Sequence, residues 1–168
     1  AAERIDEVLQ TASSIRNPEQ PETLAAHNGV LRFNHVSFRY PGAEADVLED
    51  IDFTAEPGKT TAIIGSTGCG KSTLVNLIPR LYDVTGGSVT LDGQDIRNIR
   101  MEDLREEIGF VPQKGVLFSG TIASNLRFGK RDATDEQIKE AAAIAQAADF
   151  IEEKQEKYDS VIAQGGSN

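Results

Sequence analysis

The sequence feature that most constrains the fold is the loop Gly65–Thr73, which reads Gly-Ser-Thr-Gly-Cys-Gly-Lys-Ser-Thr. Its three glycines allow the backbone a tight path that points successive N–H groups at an anion. The short apolar run Thr60–Ile64 precedes the loop and predicts a buried parallel strand. Apolar residues at helical spacing follow it: Leu74, Val75, Leu77, Ile78 and Leu81. The sequence therefore predicts a strand, a phosphate-binding loop and a helix in direct succession.

Each polar residue at the end of this loop suits a triphosphate. The spacing Gly-x4-Gly-Lys-Ser is the P-loop pattern, in which Lys71 supplies a charge for the β- and γ-phosphates and Ser72 a hydroxyl for Mg²⁺. Thr73 adds a hydroxyl or N–H contact, and the start of the helix adds the positive end of its dipole. Cys69 is interpreted as a small filler in preference to a redox sensor. The predicted phosphate ligands are Ser66, Thr67, Gly68, Cys69, Gly70, Lys71, Ser72 and Thr73.

Composition excludes several classes of protein. The 168 residues are 39% apolar, which suits one compact domain. With 17 Lys and Arg against 27 Asp and Glu the net charge is −10, so a nucleic-acid partner is not expected. No apolar stretch approaches the roughly 18 residues that suggest a membrane span. The single cysteine rules out an internal disulfide and favours a reducing, cytosolic setting.

The remaining patterns place the loop between a β-rich start and a helical end. Leu31–Tyr40 and Val47–Ala55 predict two strands, and the first changes phase near Asn34-His35, as at a bulge or a strand break. Ser88–Leu91 predicts a strand that ends in the hairpin signal Asp92-Gly93.

Further on, Met101–Ile108 predicts a helix and Gly109–Pro112 a short strand. Thr134–Gln137 matches a capping box, and an alanine-rich helix is expected from there to about Ala148. At the N-terminus, Ala1–Gln10 predicts a short helix, and Thr11–Gly29 has the composition of a linker.

Motifs outside the P-loop indicate a family. Phe38-Arg39-Tyr40-Pro41 lies upstream and Val111-Pro112-Gln113 downstream, followed by Leu117-Phe118-Ser119-Gly120-Thr121-Ile122 and Asn125-Leu126. This combination resembles the nucleotide-binding domain of ATP-binding cassette (ABC) transporters of the exporter type, multidrug or lipid. The resemblance runs from about Val30 to the end, and Ala1–Leu9 looks like the segment that leaves the last membrane helix of such exporters.

The resemblance implies roles for two further residues. Tyr40 matches the aromatic residue that stacks on adenine, for which an exposed ring face is suited. Gln113 matches the glutamine that reaches Mg²⁺ and the attacking water and senses the membrane domain. Gln113 is therefore the expected catalytic residue, and Ser72 and Gln113 are the expected metal ligands.

The resemblance also implies an α/β fold: a P-loop NTPase core, an N-terminal antiparallel β-subdomain and part of an α-helical subdomain. The expected organisation is a helix and linker at 1–29 and a partial ATP-binding cassette domain at 30–168. Within that domain, the β-subdomain and core cover about 30–112, and the glutamine loop and helical subdomain about 113–168. The family's Leu-Ser-Gly-Gly-Gln signature, Asp-Glu strand end and switch histidine do not occur in the sequence. We therefore expect a truncated domain that lacks the C-terminal part of its core sheet and is inactive alone.

The implied function is that of an ABC transporter's ATP-binding domain, which uses ATP and Mg²⁺ to drive export. Its implied partners are the transmembrane domain of the same transporter and a second nucleotide-binding domain, identical or different, at the cytoplasmic face of the cell membrane. Two alternatives stay open. One is a soluble P-loop ATPase or kinase that is not coupled to transport, and the other is a binding module without activity.

Overall fold

The computed structural model describes residues 5–6, 9–10 and 13–166. The chain divides into two compact units, Ala1–Phe110 and Val111–Asn168. Residues 5–6 and 9–10 are helical, and the rest of the helix predicted over Ala1–Gln10 lies outside the described residues.

The first unit is built on a four-stranded antiparallel sheet. Its strands are β1 (Leu31–Phe38), β2 (Leu48–Ala55), β3 (Gly86–Leu91) and β4 (Gln94–Asp95), in the order β2-β1-β3-β4. The predicted antiparallel β-subdomain is thus confirmed. The Asp92-Gly93 turn between β3 and β4 has positive φ at both residues, 50° and 86°, as a two-residue hairpin turn of the favoured twist requires.

The predicted bulge lies in β1. The pairing of β1 with β2 shifts register between Phe33 and Val36, and His35 has a φ of 47°. The shift keeps both Phe33 and Val36 fully buried, because the extra residue turns the second half of the strand over.

Two helices cover the core of this unit. Helix α1 (Lys71–Leu77) and helix α2 (Met101–Glu106) bury Leu74, Leu77 and Leu104 in one cluster with the sheet. Helix α1 is shorter than the apolar spacing predicts, since that spacing continues to Leu81. Pro79 explains the early end, because proline lacks the N–H that the next helical turn needs.

Two predicted strands are wrong. Neither Thr60–Ile64 nor Gly109–Pro112 has strand structure, and Ile64 and Val111 are 91% and 92% exposed. A strand exists only as part of a hydrogen-bonded ladder, and the described part of the chain pairs no strand with either segment. The apolar composition is therefore present without the buried position that it predicts.

The predicted linker segment is irregular in backbone but bonded to the first unit. Asn17 accepts from the Met101 N–H at 2.8 Å, and the Glu22 N–H donates to the Asn98 carbonyl at 2.8 Å. Nearer the sheet, Asp92 accepts from the N–H groups of residues 28, 29 and 30 at 2.8 to 3.2 Å. Desolvation raises the pKa of Asp92, but these three donors outweigh it and hold the pKa below its usual value.

The second unit is mainly helical. It contains β5 (Gly120–Thr121), α3 (Ile122–Leu126), α4 (Asp135–Ile144), α5 (Ala148–Glu152) and β6 (Val161–Ile162), with β5 antiparallel to β6. Ile122, Ala142 and Ile151 form its buried cluster. The predicted capping box is confirmed: Thr134 accepts from the Gln137 N–H, and Gln137 accepts from the Thr134 N–H. The alanine-rich helix ends at Ile144, and Gln146 has a φ of 57° before α5 begins.

Short 3-10 turns in the described residues lie at Ile96–Asn98, Lys157–Asp159 and Gln164–Gly166. Among the residues described, no helix has the length and apolar character that crossing a membrane requires.

Candidate functional site

A pocket of about 340 Å³ lies where β1, β2 and α1 meet in the first unit. Three separate stretches of sequence contribute to it: one residue shortly after β1, the residue before β2, and the P-loop with the start of α1. Its lining residues are Tyr40, Val47, Gly68, Gly70, Lys71, Ser72 and Thr73. The fold therefore brings the predicted adenine-stacking tyrosine and the P-loop to one site.

Glycine is required at position 70 for two reasons. Gly70 has a φ of +89° as the residue before α1, a conformation that side chains disfavour. A Cβ there would also lie 2.9 Å from Leu48 Cδ2 and 3.1 Å from the Val47 carbonyl oxygen. The loop consequently packs directly on the start of β2, which fixes the origin of α1 against the sheet.

The Lys71 side chain folds back over its own loop. Its ammonium donates to the carbonyl oxygens of Gly65 and Ser66 at 2.9 and 2.6 Å and lies 3.6 Å from Cys69 Sγ. Of the residues lining the pocket in the described chain, Lys71 alone carries a charge. The pocket is thus positive, which suits an anionic ligand.

The start of α1 also supplies backbone donors. The first hydrogen bond of α1 runs from the Leu74 N–H to the Gly70 carbonyl at 2.9 Å. The amides of Lys71, Ser72 and Thr73 precede it, and the first N–H groups of an α-helix have no partner within the helix. Donors that point out of a helix start are suited to phosphate oxygens.

The donor set fits Mg²⁺ bound together with a triphosphate. Ser72 is exposed and lines the pocket, so its hydroxyl can serve as one oxygen ligand. Within the described residues there is no group of three or more His, Cys, Asp or Glu side chains that could hold a metal. Mg²⁺ is commonly held by few protein oxygens together with substrate phosphates and water.

Tyr40 is held by contacts from three directions. Its hydroxyl is hydrogen-bonded to Thr73 Oγ1 at 2.9 Å, which ties it to α1. Its ring meets Phe38 and Tyr82 in perpendicular arrangements, with centroids 4.9 and 5.3 Å apart. Neither Phe38 nor Tyr82 is stacked parallel on the Tyr40 ring.

The other predicted site residues are placed differently. Ser66, Thr67 and Cys69 are exposed in the loop and do not line the pocket, while Gly68 does. Gln113 is exposed on a bend of the second unit. Its predicted catalytic and metal-binding roles stay predictions.

Two residues near the site were missed by the sequence patterns. Val47 lines the pocket, and its only signal is that it immediately precedes a predicted strand. Tyr82 contacts Tyr40 from the turn after α1, and no local pattern marks that contact because the two residues are distant in sequence.

Comparisons of the sequence and of the structure with known proteins all point to one family. The family model described as "ABC transporter" matches residues 48–167. An ABC transporter ATP-binding protein of Mycobacterium tuberculosis, itself uncharacterised, is 48% identical over 99% of this chain and 29% of that protein. A similarly named protein of Bacillus subtilis is 42% identical over the whole chain and 29% of its own length.

A solved structure is similar over nearly the whole chain. It is a bacterial Atm1-family ABC exporter with ATP bound, with a TM-score of 0.91 and 31% sequence identity. It is matched over 98% of this chain and 29% of the exporter chain. The chain thus spans about 29% of the length of these relatives.

Proposed function

The chain belongs to the ABC transporter family, and on that basis we propose that it binds ATP in the pocket formed by Tyr40 and the P-loop. The observation that carries the proposal is the meeting of Tyr40, Lys71 and Ser72 in one pocket from distant parts of the sequence. An aromatic ring for a base and a positive, amide-rich loop for phosphates are the two complements of a nucleoside triphosphate.

Each pocket residue has a distinct part in this proposal. Lys71 exchanges its bonds to the Gly65 and Ser66 carbonyls for the β- and γ-phosphates. The amides at the start of α1 hold the phosphate oxygens, and Thr73 fixes the Tyr40 hydroxyl while the ring stacks on the base. Ser72 and Gln113 would hold Mg²⁺, which neutralises phosphate charge when bound. Gln113 would also orient the attacking water.

In the whole protein, the proposed activity is ATP hydrolysis coupled to export of a substrate across a membrane. The proposed partners are the transmembrane domain of the same transporter and a second nucleotide-binding domain, at the cytoplasmic face of the membrane. The similarity to an ABC exporter with ATP bound supports this proposal. Neither the family match nor that exporter supports the alternative of a soluble ATPase or kinase not coupled to transport.

Equilibrium titration with ATP tests the binding site. Lys71→Ala should lower ATP affinity at least tenfold, since charged hydrogen bonds contribute about 1.5–3 kcal/mol and each 1.4 kcal/mol is about a factor of ten. Lys59→Ala is the matched control, because Lys59 is an exposed lysine paired with Glu56 and lies outside the pocket. Equal ATP affinity in Lys71→Ala and the unchanged chain would refute the P-loop assignment.

A second measurement addresses hydrolysis. No Asp or Glu ends an apolar strand in this sequence in the way the family's catalytic carboxylates do. We expect phosphate release by this chain alone to remain near background even with Mg²⁺ and saturating ATP. Turnover that depends on Lys71 would contradict this expectation and would show that the residues present suffice.

A further inference from the structure

Tyr40 and the P-loop helix are connected at both ends of that helix. Thr73, in the first turn of α1, is hydrogen-bonded to the Tyr40 hydroxyl at 2.9 Å. The turn that follows α1 carries Tyr82, whose ring lies 5.3 Å from the Tyr40 ring at an interplanar angle of 88°. The hydroxyl and the ring of Tyr40 are thus each held by residues that α1 positions.

An ion pair between a buried arginine and a partly exposed aspartate spans the turn that carries Tyr82. Arg80, whose side chain is almost fully buried, donates from Nε and Nη2 to the two Asp83 carboxylate oxygens at 2.7 and 3.2 Å. These two hydrogen bonds therefore join the residues that precede and follow Tyr82 in the turn. Arg80 Nη2 also donates to the Arg16 carbonyl at 3.0 Å, so the turn is anchored to the N-terminal segment as well.

Tyr82 and Phe38, the two aromatic neighbours of Tyr40, differ in how far they are buried. Phe38 is 2% exposed and belongs to the core, so the sheet needs it whatever the ligand. Tyr82 is 36% exposed, and its neighbour Leu81 is 44% exposed in the same turn. Tyr82 therefore contributes much less to the core than Phe38 does, while its ring contacts Tyr40 directly.

We propose that Tyr82 is a positioning residue, which holds the Tyr40 ring perpendicular to itself and so leaves Tyr40 oriented for the base of a bound nucleotide. The inference rests on the proposed ATP site. Tyr82 acts through Tyr40 and has no part in holding the phosphates, which meet the opposite end of α1.

The test separates base contacts from phosphate contacts with two probes, ATP and inorganic triphosphate, each titrated calorimetrically. Tyr82→Leu should weaken ATP binding about three- to tenfold, the range expected for an aromatic pair, and leave triphosphate binding within about twofold. Tyr82→Phe should retain ATP affinity, because the ring makes the contact. Leu81→Ala is the matched control and should change neither probe.

A double-mutant cycle distinguishes this inference from the ATP site itself. Tyr40→Ala should weaken ATP but not triphosphate, and Tyr82→Leu should add nothing on that background. If Tyr40→Ala weakens ATP and Tyr82→Leu does not, the positioning role is wrong and the ATP site stands. If Tyr40→Ala has no effect on ATP, the proposed base contact fails and the positioning role fails with it.

Thermal unfolding of every variant shows whether the variant is folded. If Tyr82→Leu does not fold, Asp83→Asn replaces it, because that change weakens the hydrogen bonds from Arg80 while keeping the Tyr82 ring. Asp83→Asn should weaken ATP by a smaller factor than the range above, again with triphosphate unchanged. An equal loss for both probes in either variant would overturn the inference.

Discussion

The antiparallel sheet of the first unit and the apolar segment Thr60–Ile64 are both rich in β-forming residues, yet only the sheet is folded as strands. β1 pairs with β2, the next strand along the chain, and also with β3, which follows only after the P-loop and α1. Phe33 in β1 is fully buried. Ile64 is 91% exposed. The difference shows that apolar composition yields a strand only where the chain also supplies its hydrogen-bonding partners.

The largest expected contrast is between alanine substitutions of one apolar residue in each of these two regions. Phe33→Ala should reduce the free energy of unfolding by about 3–5 kcal/mol, since it removes a buried ring stacked 4.7 Å from Phe53. Ile64→Ala should change it by less than about 0.5 kcal/mol. Urea unfolding measures both. A loss of stability in Ile64→Ala comparable to that in Phe33→Ala would show that Thr60–Ile64 is packed as tightly as the sheet.

Substitutions in the P-loop, which lies between Thr60–Ile64 and α1, should have an intermediate effect on the free energy of unfolding. Gly68→Ala and Gly70→Ala both place a side chain at positive φ, which costs about 1–2 kcal/mol. Gly70→Ala should destabilise more, because its Cβ also meets Leu48 and Val47, whereas a Cβ at Gly68 meets nothing within 4 Å. Urea midpoints of the two variants give the order, and the reverse order would show that the loop does not rest on β2.

The capping box of the second unit is stabilised by neighbouring residues alone, so its loss should have a smaller effect. Thr134→Ala should destabilise that unit by about 1 kcal/mol, because it removes the acceptor for the Gln137 N–H at the start of α4. Thr134→Ser keeps a hydroxyl and should restore most of the loss. Circular dichroism on thermal unfolding measures it, and equal stability of Thr134→Ala and Thr134→Ser would argue against a contribution from the capping box.

The smallest effect is a pH dependence on the surface of the sheet. Asp50 accepts a hydrogen bond from the His35 ring at 2.7 Å and, with Asp52 nearby, raises the pKa of His35. Charged His35 therefore stabilises the fold fully below about pH 6.5, and this contribution is lost as pH rises through the raised pKa. The stability difference between the unchanged chain and His35→Gln should shrink from pH 5.5 to 8.5. In an Asp50→Asn background, which tolerates the positive φ of position 50, the shrinkage should be reduced.

The parts of the fold that follow from neighbouring residues could be predicted from the sequence. The β1 bulge at His35, the Asp92-Gly93 turn and the Thr134 cap each depend on a few adjacent residues, and all three were predicted. The end of α1 and the exposure of Ile64 depend on Pro79 and on absent strand partners among the described residues, so helical or apolar spacing alone misplaced them.

The residues of the candidate site likewise fall into those that a sequence motif marks and those that only the fold brings to the site. The P-loop is contiguous, so its motif located Lys71 and Ser72, and the family resemblance added Tyr40. Val47 and Tyr82 contact the site only because β2 and the turn after α1 fold against it, and neither has a motif of its own. Proximity created by folding is the information that a single sequence does not contain.

The bonds along residues 13–30 have a mechanical consequence. Tension applied ahead of residue 13 would load these hydrogen bonds one after another. The first would be the bond to the Arg16 carbonyl, and the last would be the three bonds that Asp92 accepts from backbone N–H groups. Hydrogen bonds that bear the load one at a time break one at a time, and segments with few buried contacts open before the core. The segment would therefore peel away stepwise up to Val30, and its first step would release Arg80 from Arg16 while β1 to β4 remained intact.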